Sequence, residues 1–280
     1  MPAGMFRTAL ILGSICVTGP FAIDMYLPAL PAIEEALDVS VSAAQITLVA
    51  YFLAYGVSQL VYGPLSDQIG RKKTLAIGMS IFCVGAVICA VAPNIETLVL
   101  GRLVQGIGGA TVMVIPRAIV RDMYTGAQAT RLMSSIMLVI SVSPMLAPLA
   151  GSAVVAFGSW REIFLALAIL AAATLTMAQI ALPETLTTDK RRKVNLGELS
   201  RSCGILFRDP VFVGLTFIAG FGMASFFLFI SSASFVYTGQ FGLTPTEFSL
   251  AFAFNAVGFF IATQAAGRLA DMWGLATLIG

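Results

Sequence analysis

Apolar residues run along this chain in long unbroken blocks, and charged residues collect in the short gaps between them. The blocks do not alternate apolar and polar over about ten residues, as the strands of a membrane barrel do. Each is close to the ~20 residues that an α-helix needs to cross hydrocarbon. The pattern predicts eight spans, over 8–30, 43–62, 74–92, 96–117, 132–156, 162–182, 210–233 and 246–267, with residues 275–280 opening a ninth. One connection is long. Residues 183–209 carry "DKRRK" and then Leu199, Cys203 and Leu206 at helical spacing beside Arg201 and Arg208. That segment predicts a short amphipathic helix on the membrane face.

The basic residues fall on one side of this layout. With the N-terminus inside, the inner segments hold Arg7, then Arg71, Lys72 and Lys73, then Arg117, Arg121 and Arg131. They also hold Lys190, Arg191, Arg192, Lys193, Arg201, Arg208 and Arg268, whereas the outer loops hold Arg161 alone. Positive charge stays with the cytoplasmic face, so a cytoplasmic N-terminus is expected. A signal peptide is the rival reading of the first block, from Arg7, an apolar core and "ALPA". Asp24 inside the block, and the spans that follow, favour a retained first span.

Composition narrows the function classes. Charged residues are 11% of the 280 and the mean hydropathy is +0.93. Soluble domains carry roughly 25% charged residues, and a soluble chain of this composition could not build a polar shell. There is no histidine, which removes the commonest metal ligand and acid/base side chain. Cys16, Cys83 and Cys89 fall in apolar blocks and Cys203 in the basic connection; no CxxC pair occurs. Neither a disulfide framework nor a thiolate metal site is suggested. A membrane-embedded enzyme would call for histidine, clustered carboxylates or a nucleophile beside a base, and none is visible. The expectation is a non-enzyme without cofactor, metal or nucleic-acid partner, working in a lipid bilayer.

Two of the gaps share a pattern. In "GPLSDQIGRKK", residues 63–73, Gly63, Leu65, Asp67 and Gly70 match Gly267, Leu269, Asp271 and Gly274 of "GRLADMWG", each 204 positions on. The chain therefore begins again at its seventh span, as a parallel repeat. Two six-helix halves related by an axis along the membrane normal are implied. The expected fold is all-α and polytopic. It has a complete N-terminal six-helix bundle (1–182), a basic cytoplasmic linker (183–209) and a partial C-terminal bundle (210–280) with spans 7, 8 and the start of 9. The chain is expected to be a C-terminally truncated piece of a twelve-span protein.

Within the spans a few polar residues resist a purely structural reading. Asp24 lies seven residues before Pro31, and Arg102 six residues inside Glu96. At a rise of 1.5 Å per residue these offsets are roughly 10 and 9 Å. Spans 1 and 4 run in opposite senses, so the two charges share a depth in the outer half; whether they face each other depends on helix rotation. The bland alternatives are a first span that ends early at Asp24, and an Arg102 that snorkels to the surface. A charge held at depth is expensive and is a functional candidate by default. Gly101, Gly106, Gly108, Gly109 and Ala110 behind Arg102 allow close helix approach. In span 5, Pro144 and Pro148 each remove a backbone hydrogen bond, and a kinked helix is expected, lined on one side by Ser143, Ala147, Gly151 and Ser152. In the first charged gap, Gly63 and Gly70 permit tight turns. Asp67 there can cap a helix N-terminus and serve as a latch, docked in one state and released in another.

These motifs resemble the major facilitator superfamily, in its twelve-span drug:proton antiporter group. "GPLSDQIGRKK" is similar to motif A, "RLVQGIGGA" to motif B, and "SPMLAPLAGS" to the antiporter motif C, with Ser143, Ala147 and Ser152 where the family has glycine. "AIDMYLPALPAI", 22–33, resembles the first span of the Bcr/CflA branch, the bicyclomycin and chloramphenicol resistance proteins. The resemblance implies a monomeric, multi-pass protein of the bacterial inner membrane that exports small molecules by alternating access, with the proton gradient as energy source. It implies that Asp24 is the protonation carboxylate and Arg102 its coupling partner. Gly63, Asp67, Gly70 and Arg71 would form the cytoplasmic gate, and Pro144, Ala147, Pro148 and Gly151 would enforce antiport. Tyr26, Tyr51, Tyr55, Met113, Met137, Phe226 and Asn255 are expected cavity residues from helix position and chemistry. A carrier of a metabolite, such as a nucleoside, sugar or siderophore, and a non-transporting fragment remain the alternatives.

Overall fold

Eight helical stretches among the described residues are long and apolar enough to cross a membrane. The computed structural model describes residues 3–191 and 196–273. The first span joins α1 (Ala3–Asp24), a 3-10 turn at Leu27–Ala29 and α2 (Leu30–Leu37). The second and third are α3 (Val41–Ile69) and α4 (Arg71–Ala90). The fourth is α5 (Ile95–Gly109) continued by α6 (Thr111–Met123), with Ala110 at the break. The fifth and sixth are α7 (Gly126–Phe157) and α8 (Trp160–Ala181). A surface-length helix, α9 (Leu196–Arg208), occupies the long connection. The seventh is α10 (Pro210–Phe235) with a π-helical turn at Val236–Gln240, and the eighth lies in α11 (Pro245–Trp273). No strand occurs among the described residues.

Local chemistry sets several starts. Ser40 accepts a hydrogen bond from the Ala43 N–H to open α3, and Asn94 does the same for Thr97 at α5. Asp209 accepts from Val211 and Phe212, with Pro210 in the first turn of α10. Each satisfies N–H groups that a helix start leaves without partners.

The helices run past the apolar blocks that predict them, and this corrects the reading of the first charged gap. α3 continues through Ser66 and Asp67 to Ile69, and Gly70 alone separates it from α4. Gly63 is therefore inside a helix and makes no turn. Asp67 sits in the last turn of α3 and caps no N-terminus. Gly70, with φ at 98°, makes the whole reversal. In the second copy, residues 267–273 are likewise helical within α11. Gly274 and the expected ninth span at 275–280 lie outside the described residues, as do Arg192 and Lys193. In span 5, α7 stays helical across both Pro144 and Pro148.

Small residues bring three helices to backbone contact. A methyl group on Gly108 would meet the Phe82 backbone of α4, one on Gly85 the Gln105 backbone of α5, and one on Gly106 the Tyr51 carbonyl of α3. In hydrocarbon no hydrophobic force joins spans, so close van der Waals packing carries their association. Gly108→Val is expected to push α4 from α5. Overpacking of this kind costs about 1–3 kcal/mol, and here the neighbour is backbone. The measurement is the thermal melting of the detergent-solubilised chain, and an unshifted melting curve would contradict the packing.

The last two spans touch the first six at one end of the bundle. Gln45 donates to the Ser231 carbonyl, Phe52 packs on Phe227 with ring centroids 4.0 Å apart, and Ser249 donates to the Pro148 carbonyl. All three contacts lie away from the Gly70 turn.

Candidate functional site

Asp24 closes α1 at the point where the first span breaks, and it is buried. It did not end up at a surface, as the bland reading of the sequence would have it. Its carboxylate borders a cavity of about 150 Å³ walled by Pro144 of α7, Phe226 and Phe229 of α10, and Phe252, Asn255 and Ala256 of α11. The cavity thus lies between the first six spans and the last two. No ion pair or hydrogen bond engages the Asp24 carboxylate among the described residues. Asn255, its polar neighbour across the cavity, donates to the Tyr237 hydroxyl at 3.4 Å. A lone carboxylate in aromatic walls can take up a proton, a cation or a hydrogen-bond donor, since each relieves an unpaired charge in apolar surroundings.

Arg102 of α5 is fully buried and reaches α1, but it does not pair with Asp24. Its Nη1 donates to the Ala22 carbonyl at 3.0 Å and to Gln105 Oε1 at 2.7 Å. The guanidinium lies between the rings of Tyr26 and Tyr51, 4.5 and 4.4 Å from their centroids, with Phe164 at 5.8 Å. Ring faces stabilise a desolvated guanidinium by about 2 kcal/mol or more. Arg102 Nε and Nη2 and Gln105 Nε2 have no hydrogen-bond partner among the described residues. The site therefore holds a buried cation with spare donors and, two residues from its α1 contact, a carboxylate without a partner. Arg102 meets α1 at Ala22, two residues from Asp24; the helix rotation that the sequence left open turns the guanidinium to the backbone carbonyl and not to the carboxylate.

Several expected cavity residues stand elsewhere. Tyr26 and Tyr51 are buried around Arg102, with the Tyr26 hydroxyl 2.7 Å from Thr47 Oγ1, and neither lines the Asp24 cavity. Tyr55 stacks on Tyr51 at 5.8 Å. Met113 is half-buried and Met137 exposed, both away from the cavity. Phe226, Asn255 and Pro144 are in its wall. Ala147, Pro148 and Gly151 are buried on α7. A methyl group on Gly151 would collide with the Met25 carbonyl, so α7 is pressed against the break that follows Asp24.

At the other end, Arg71 gathers a charged cluster. Its Nη1 is 2.6 Å from both Asp67 Oδ1 and Ser66 Oγ, and its Nε donates to Asp122 Oδ2 at 2.8 Å. Glu184, just beyond α8, accepts the backbone N–H groups of Arg71 and Lys72 at 2.9 and 3.1 Å. It thereby caps α4, the role the sequence assigned to Asp67. Thr185 donates to Asp122, and Lys72 Nζ to the Gln179 carbonyl. A Cβ on Gly70 would stand 2.6 Å from the Glu184 carboxylate. Asp122 and Glu184 were missed in the sequence. Their signal was weak: each is a carboxylate on a face where basic residues predominate, but so are Asp67, Asp189 and Asp209.

The sequence profile of the Major Facilitator Superfamily matches residues 10–280. The chain belongs to that superfamily. The uncharacterized MFS-type transporter YdgK of Bacillus subtilis is 36% identical over 95% of this chain and 67% of its own length. The bicyclomycin resistance protein homolog of Haemophilus influenzae is 29% identical over 98% of this chain and 69% of its own. The chloramphenicol resistance protein of Pseudomonas aeruginosa is 31% identical, over 95% and 63% respectively. These relatives agree with the Bcr/CflA branch. The chain spans about two thirds of the length of the curated relatives it matches. Among solved structures, a bacterial homolog of the human lysosomal transporter Spinster superposes with a TM-score of 0.73 at 19% identity, covering 98% of this chain and 64% of that one. This superfamily member is thus a multi-pass, all-helical membrane protein with the fold of its transporter relatives.

Proposed function

We propose that this chain carries the proton- and substrate-coupling part of an exporter for small amphipathic compounds of the bicyclomycin, chloramphenicol or sulfonamide kind. The protein would sit in the bacterial inner membrane as a monomer, with a cytoplasmic N-terminus. Residues 1–182 and 210–280 would belong to its two bundles, joined by a basic linker at 183–209. The observation that carries the reading is the cavity between those parts. It offers aromatic walls for an apolar body and a single unpaired carboxylate, Asp24, for a polar group.

Substrate or proton would occupy Asp24 in alternation. Arg102 would act through Ala22 and the helix break, with its spare donors ready for the carboxylate when α1 shifts. Gly151 against Met25 would transmit that shift to α7, and the Arg71 cluster with Gly63, Asp67 and Gly70 would hold or release the cytoplasmic end. Names of relatives support drug export in particular, since two of those compared are resistance proteins.

The test is expression of the protein in a bacterium stripped of its own efflux pumps. Resistance to at least one such compound should rise and should vanish with an uncoupler. Unchanged sensitivity to every compound of a broad panel would overturn drug export.

A further inference from the structure

Arg117 and Arg121 stand one turn apart on α6, and both are exposed. They border a cleft of about 620 Å³ between α6 and the first turns of α7, whose other walls include Val114, Val120, Met133 and the Thr130 side chain. Neither guanidinium has a hydrogen bond or ion pair among the described residues. The nearest acid in sequence, Asp122, is turned away: it binds Arg71 and Thr185. The cleft therefore keeps two positive charges, no carboxylate and a mainly apolar wall.

Depth matters as much as charge. Arg121 lies two residues and Arg117 six residues from the end of α6 at Met123. At the helical rise these are roughly 3 and 9 Å from the end, the level of headgroups and the hydrocarbon just beneath. Like charges at this spacing repel, and a shared anion removes that repulsion. Guanidinium forks match phosphate oxygens, and basic pockets between spanning helices suit anionic lipid headgroups.

We propose that Arg117 and Arg121 clasp the phosphate of an anionic phospholipid, with its hydrocarbon against Val114 and Met133. The site is separate from the Asp24 cavity and does not depend on what that cavity exports. A free phosphate would satisfy the arginines alone; the apolar walls favour the lipid.

The experiment titrates the purified chain with phosphatidylglycerol and counts bound lipid by native mass spectrometry. Arg117→Gln with Arg121→Gln should weaken retention about tenfold, the loss of one to two charge-assisted contacts. Arg121→Gln alone, at the exposed helix end, should weaken it less but measurably, and serves if the double variant does not fold. Arg131→Gln, an exposed arginine of α7 outside the cleft wall, should change nothing. Millimolar inorganic phosphate should leave the lipid bound. Equal retention by both glutamine variants, an equal loss with Arg131→Gln, or displacement by inorganic phosphate would overturn the proposal.

Discussion

Asp24→Asn is expected to abolish the proposed proton-driven transport while leaving the protein folded in the membrane. The amide keeps the size and hydrogen-bonding capacity of the carboxyl but has no proton to exchange. Its effect on folding should be slight, because the carboxylate has no ion pair or hydrogen bond to lose among the described residues. Removing an unpaired buried charge relieves a desolvation cost, so the melting temperature should hold or rise. Uptake into inverted vesicles driven by an imposed pH gradient should fall by roughly 100-fold, the loss of about 2.8 kcal/mol of coupling at 1.4 kcal/mol per decade. Asp24→Glu, which restores the ionisable group one methylene further into a cavity of about 150 Å³, should recover part of it. Full pH-driven transport by the asparagine variant would remove Asp24 from the mechanism. A collapsed melting temperature would show a structural role that the unpaired carboxylate does not explain.

The spans were legible because a bilayer enforces long apolar helices, and each of the eight expected blocks overlaps a helical stretch of membrane length. Their ends were not legible. At α3 the helix continues from the end of the apolar block at 62 to Ile69, through the polar Ser66, Asp67 and Gln68, because backbone hydrogen bonding does not stop where hydrophobicity does. Composition marked Asp24 and Arg102, but not how they are arranged. A helix apolar on all sides has no periodic stripe to fix its rotation, so the turn of Arg102 toward the Ala22 carbonyl was out of reach. The close approach of α5 to α3 and α4 was readable, since glycines at 106 and 108 have few other uses in a span. The Glu184 cap was not readable, because it depends on the chain after α8 folding back 113 residues to meet Arg71.

Arg71→Gln is expected to damage both stability and turnover, and a double-mutant cycle with Asp122→Asn should show why. The Arg71 side chain is only 6% exposed and that of Asp122 18%, whereas Asp67 is 52% exposed. The Asp122 bond should therefore dominate, with Asp67 screened by solvent. Removing Arg71 strands a partly solvated Asp122. Truncations of fully buried pairs cost roughly 2–5 kcal/mol, and solvent screening should hold the cost here to the low end of that range or below. Among the described residues Asp122 would keep only the Thr185 hydroxyl. Arg71→Lys should rescue little, because an ammonium cannot serve Ser66, Asp67 and Asp122 at once as the planar fork does. Single variants should each melt lower, and the double variant should melt no lower than the worse single, since it strands no charge on this pair. Strict additivity would mean that the Arg71–Asp122 contact carries no energy. Asp67→Asn should melt close to the native protein, so a large transport defect in that variant would come from the moving gate and not from the resting fold.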